Sequence, residues 1–160
     1  VQRRRRTTAM AEPAVQTPAP AAPHSFVVRV YWEDTDAGGI VYYANYLKFM
    51  ERARSDLVRR AGIDQAALLA RDGVMFPVRR CAVDYHRPAR LEDELTVSTS
   101  VSRVGGASVD LAQDIERHGE RLVSGRVQLA CINRAGRPQR LPAEVRRAFA
   151  GALAAGQGAG

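Results

Sequence analysis

A chain of 160 residues that is 46% hydrophobic and 26% charged has material for one ordinary core and too little for two, so a single domain is expected. No apolar run reaches eighteen residues and the first residues lack the apolar stretch of a secretion signal, so neither a membrane-spanning helix nor export is expected, and the cytoplasm is the expected compartment. Of the net charge of +7, Arg3 to Arg6 against Glu12 place +3 in residues 1–23; the rest is dispersed, with neither the aromatic-basic interleaving nor the zinc-finger spacing of a nucleic-acid binder.

Residues 1–24 read as a disordered extension, because 11–23 are rich in Pro and Ala, and no chemistry is assigned to it. The folded domain is expected over 25–151, with a flexible C-terminus at 152–160. Alternating Phe26, Val28, Val30 and Trp32 predict a first strand. The polar segment Glu33 to Asp36 and the pair Gly38-Gly39 interrupt it. Tyr46, Met50, Ala53 and Leu57 then share one helical face, Leu47 and Phe49 broaden the buried surface, and Gly62 is a plausible end. Asp64 is placed to cap a short second helix reaching about Arg71.

From Met75 the period changes to two. Phe76 and Val78 lead into Cys81, Val83 and Tyr85; Leu95, Val97, Thr99 and Val101 follow; then Val109, Leu111 and Ile115; then Val123, Val127, Leu129 and Cys131. Gly105-Gly106, His118-Gly119 and Ala135-Gly136 supply the turns. The closing Leu141 to Phe149 reads as a short helix with Pro142 near its first turn. Cys81 and Cys131 both lie in apolar alternating runs and read as buried free thiols. With no cysteine cluster, and with His24, His86 and His118 far apart, no metal site is expected. These elements predict an α+β architecture, a curved antiparallel five-stranded sheet wrapped around one long central helix.

Chemistry concentrates in the strand-to-helix connection. Asp34 and Asp36 precede two glycines and the start of a buried helix, where free N–H groups can polarise an acyl oxygen while a carboxylate attacks the carbonyl or activates water. Loop capping is the plain alternative for both acids, and it is favoured for Asp34.

The segment from Val30 to Arg54, and above all Glu33-Asp34-Thr35-Asp36-Ala37-Gly38-Gly39-Ile40-Val41-Tyr42-Tyr43-Ala44-Asn45-Tyr46, resembles the signature of the bacterial Tol-Pal-associated (YbgC-like) acyl-CoA thioesterases, within the wider 4-hydroxybenzoyl-CoA thioesterase family. The likeness continues through Asp84 to Leu91 and into Leu141-Pro142. It implies a hotdog fold, hydrolysis of an acyl-CoA to free acid and CoA without a further cofactor, and a homodimer or homotetramer with active sites at subunit interfaces. The family's catalytic aspartate falls on Asp36, as nucleophile or general base, and the Tyr43 backbone N–H falls where the carbonyl is polarised. Asn45 and Glu51 match the motif as secondary candidates. Arg87, Arg90 and Arg103 are candidates for the CoA phosphates, since a guanidinium suits several acceptors at once. Many Tol-Pal-associated relatives carry histidine where this chain has Tyr43, a residue closer to the 4-hydroxybenzoyl-CoA branch, which leaves acyl preference open. The competing reading is a non-catalytic hotdog protein that binds acyl-CoA or an acyl-carrier protein. A dehydratase is disfavoured because no histidine stands in the aspartate turn.

Overall fold

The computed structural model describes residues 23–157, so nearly all of the extension expected over 1–24 and the last residues of the tail expected over 152–160 lie outside the described residues. In chain order, β1 (His24–Arg29) leads through a 3-10 turn (Trp32–Asp34) to α1 (Asn45–Arg60) and α2 (Gln65–Asp72). The strands β2 (Val78–Tyr85), β3 (Glu94–Val104), β4 (Ser108–Arg117) and β5 (Glu120–Ala130) follow, and α3 (Ala143–Gln157) closes the fold. The strands form one sheet in the order β1-β3-β4-β5-β2, each neighbour antiparallel. His118 and Gly119 both take positive φ between β4 and β5, the backbone that a tight hairpin needs to match the strand twist.

Period-two burial faces one side of this sheet towards the helices. Leu95, Val97, Thr99 and Val101 of β3 pack there beside Val109, Leu111, Gln113 and Ile115 of β4. Two apolar clusters result. One joins Phe49, Met50 and Ala53 of α1 to Val97, Ile115 and Val123; the other gathers Leu68, Val101, Leu111, Val127, Val145 and Phe149 under α2 and α3. A polar row runs between them, in which Thr99 is opposite Gln113 and Gln113 is opposite Gly125. Buried Gln113 is satisfied there: its amide donates to Met50 O (3.0 Å) and Thr99 Oγ1 (2.9 Å), and its oxygen accepts from Arg54 (2.8 Å). Gly125 lets α1 come close, since a Cβ on it would lie 2.8 Å from Met50 Cε.

The expected curved sheet wrapped around a central helix is not what the chain builds. The sheet is open, with β1 and β2 as its two outer strands, and among the described residues α1 is one of three short helices flanking it. Leu47, Lys48, Glu51, Arg52 and Arg59 remain exposed along α1. The alternate positions of the strands explain this. Ser98, Ser100, Asp114, Ser124 and Gln128 are polar, so burial favours covering one face of the sheet and does not favour closing it.

Three local expectations also change. The first strand stops at Arg29 and does not reach Trp32, because the Asp34 carboxylate takes the Tyr31 N–H (2.8 Å) and folds the next residues into the 3-10 turn, leaving Trp32 77% exposed. Cys131 is buried, whereas Cys81 lies exposed on the outer strand β2. The closing helix runs past Phe149 to Gln157.

Candidate active site

The segment between β1 and α1 is a small hairpin tied down on every side. Thr35 bridges Val41, the Asp36 N–H donates to Ile40 O (2.9 Å), and the Gly39 N–H donates to Asp36 O (3.0 Å). Gly39 has φ +72, which a side chain would strain. The Asp36 carboxylate is exposed and accepts the Gly38 N–H at 2.8 Å, an Asx-type turn that fixes the side chain's direction. A Cβ at position 38 would press to 3.1 Å from the same carboxylate oxygen. Asp34, two residues earlier, is buried and holds the 3-10 turn.

Further ties lock this hairpin to α1 and to the segment at Ala89 and Arg90. The Asp34 carbonyl accepts the Tyr42 N–H (2.9 Å) and the Asn45 amide (2.9 Å), so buried Asn45 positions the loop. Val41 N–H donates to Ala89 O, Ile40 bridges Arg90, and the Ala89 N–H donates to the Tyr46 hydroxyl at 2.8 Å. The start of α1 carries no side-chain cap: Ala44 occupies the cap position, and no acidic residue follows in the first turn. The Tyr43 and Ala44 N–H groups have no acceptor among the described residues. Such unpaired donors at a helix N-terminus form a local site of positive potential.

Beside this helix start lies an open cleft of about 250 Å³, walled by Ile40, Tyr43, Tyr46, Tyr85, His86 and Pro88. Tyr85 meets Tyr43 edge-on at 6.3 Å and Tyr46 at 5.8 Å. Burial pushes the Tyr46 and Tyr85 phenols above the ordinary tyrosine value, so both stay protonated at neutral pH. His86 also lines the cleft, with Nε2 2.9 Å from Ser124 Oγ.

Asp36, Tyr43 and Asn45 thus fall on one continuous feature, and the other sequence candidates scatter. Arg90 adjoins the hairpin through its bridge to Ile40, while Arg87 lines the cleft and pairs with Glu120 (2.9 Å). Glu51 accepts from Ser55 (2.6 Å) and lines a separate 110 Å³ cleft with Arg54, Gln65 and Phe76. Arg103, near the opposite end of β3 from Glu94, faces Asp110 at 3.7 Å. No group of three or more His, Cys, Asp or Glu gathers at metal-binding distance among the described residues. The residue sequence reasoning missed is Tyr85, whose hydroxyl donates to Tyr43 O (3.1 Å); in a strand, tyrosine is an ordinary residue and gives no sign of that bond.

A model of the thioesterase-like superfamily matches residues 30–149. The acyl-CoA thioesterase YbgC of Haemophilus influenzae is 44% identical over 126 residues, covering 78% of this chain and 93% of that protein. The acyl-CoA thioester hydrolase YbgC of Escherichia coli is 42% identical over 107 residues, 66% of this chain and 79% of the relative. Among solved structures, a probable thioesterase from Bartonella henselae superposes with a TM-score of 0.73 at 40% identity, covering 76% of this chain and all of the other.

Proposed function

Since the chain belongs to the thioesterase-like superfamily, as a hotdog-fold thioesterase closely related to the YbgC-like enzymes, we propose that it hydrolyses an acyl-CoA thioester to a free carboxylic acid and CoA. The observation that carries this reading is the pairing of a fixed, exposed carboxylate with an uncapped helix start. The thioester carbonyl oxygen takes the Tyr43 N–H, where negative charge develops as the carbonyl carbon becomes tetrahedral. Asp36 either attacks that carbon, giving an acyl-aspartyl intermediate that water then cleaves, or takes a proton from the attacking water; both routes release CoA as the thiol. Asn45 acts through the loop it holds, as a positioning residue. The acyl group takes the tyrosine-lined cleft, and Arg90 and Arg87 stand nearest to receive CoA phosphates. Arg103, which faces Asp110, and Glu51, which lines the separate cleft beside Arg54, do not line this cleft, and the assembly we propose is the homodimer or homotetramer that the family resemblance implies. An acyl-CoA substrate suits a cytoplasmic enzyme, and no helix among the described residues is long and apolar enough to cross a membrane.

The test is release of free thiol from butyryl-, benzoyl- and palmitoyl-CoA by the full chain and by Asp36→Ala and Asp36→Asn. Turnover by the parent and its loss in both variants is expected. Binding without turnover across all three would favour a non-catalytic acyl-CoA binder, and full activity in both variants would remove Asp36 from the chemistry. Tyr43→Phe probes only the ring hydroxyl, because the role assigned to Tyr43 belongs to its backbone.

A further inference from the structure

The turn before α1 has two consecutive carbonyls occupied. Tyr42 O accepts the Asn45 N–H at 2.8 Å, and Tyr43 O accepts the Tyr85 hydroxyl at 3.1 Å. Holding those two oxygens fixes two peptide planes, 42–43 and 43–44. It therefore fixes the directions of the Tyr43 and Ala44 N–H groups, which no acceptor among the described residues engages. The first carbonyl is held by a bond local to the turn. The second is held from the sheet, by the last residue of β2, forty-two positions along the chain. Tyr85 is itself restrained, packed edge-on against Tyr43 and tilted against buried Tyr46. Its phenol remains a donor at neutral pH.

Resting on the hydrolase reading above, we infer that Tyr85 is a positioning residue for hydrolysis: its hydroxyl holds the Tyr43–Ala44 peptide so that the Ala44 N–H stays aimed, beside the Tyr43 N–H, at the thioester carbonyl. Without that bond the Tyr43–Ala44 peptide can rotate about its two flanking single bonds. Rotation turns the Tyr43 oxygen towards the point where the acyl oxygen gains negative charge, and replaces attraction there with repulsion. Tyr85 acts through the backbone and touches no reacting atom, so its effect belongs to kcat more than to KM.

Tyr85→Phe keeps the ring and removes only the hydroxyl. With butyryl-, benzoyl- and palmitoyl-CoA as probes, kcat on the best-cleaved substrate should fall about tenfold while KM stays within about twofold. The thermal midpoint should stay within about 2 °C of the parent. Tyr85→Ala, which also loses the ring packing, should lower both kcat and the midpoint. A Tyr85→Phe kcat within twofold of the parent overturns the assignment, as does a loss of kcat matched by an equal rise in KM or by a midpoint lowered as far as in Tyr85→Ala. Parent protein that releases thiol from none of the three overturns the hydrolase reading and this inference with it, a result distinct from an active parent with an unaffected variant.

Discussion

Asp34 and Asp36 stand two positions apart and do opposite work. Asp34 turns inward and spends its carboxylate on the Tyr31 N–H, whereas Asp36 stays exposed and is aimed by its own turn. Because an asparagine oxygen can still accept the Gly38 N–H, Asp36→Asn should leave the hairpin and the thermal midpoint nearly unchanged while kcat falls about 10²- to 10⁴-fold; thiol-release kinetics beside a melting curve would check both. His24 makes a second residue-scale prediction. Its ring lies 3.1 Å from the Asp56 carboxylate but is poorly aligned for a hydrogen bond, and Arg60 engages the same carboxylate at 2.8 Å. Burial therefore outweighs the Asp56 attraction, Arg60 adds to it, and the imidazole is held below its ordinary value. A lowered folded value means that the unfolded chain binds the proton first. This contribution to stability is whole above a pH of about 6.5 and is lost as pH falls through the lowered value. Urea unfolding at pH 7.5 and pH 5 should show a smaller pH-dependent difference in His24→Gln than in the parent; equal differences would rule out His24 as a source.

Between elements, α1 comes close to β5 at Gly125, through the Met50 side chain. Gly125→Ala meets only the flexible end of Met50, but Gly125→Val should lift α1 and lower unfolding free energy by about 1–3 kcal/mol in urea titrations. Elements of this kind were largely legible in the sequence. Alternation marked Leu95 to Val101 and Val109 to Ile115 as strands with a buried face, and Asp64 caps α2 by accepting the Ala67 N–H. Strand neighbours were not legible, because alternation reports which side of a strand is apolar and says nothing of which strand lies next to it. That is why alternation alone assigns Cys81 to the core: its run resembles a core strand, and only the sheet order puts β2 on the outside. The same limit applies at the candidate site. Asp36, Tyr43 and Asn45 are close in sequence and could be read together, whereas Tyr85 reaches Tyr43 only through the course of β2.

At the scale of the whole molecule, the outer strand β2 is accessible along most of its length and carries Val78 and Tyr85 as exposed large side chains. An eight-residue edge with apolar positions is suited to pairing with another strand. On the homo-oligomer reading, light scattering at micromolar concentration should give at least twice the mass of one chain; a monomer with full turnover would contradict it. On that same reading, an edge paired with a second copy would make mass action part of the enzymology. Specific activity should then decline as the protein is diluted through its dissociation constant, and a substrate that bridges two copies should slow that decline.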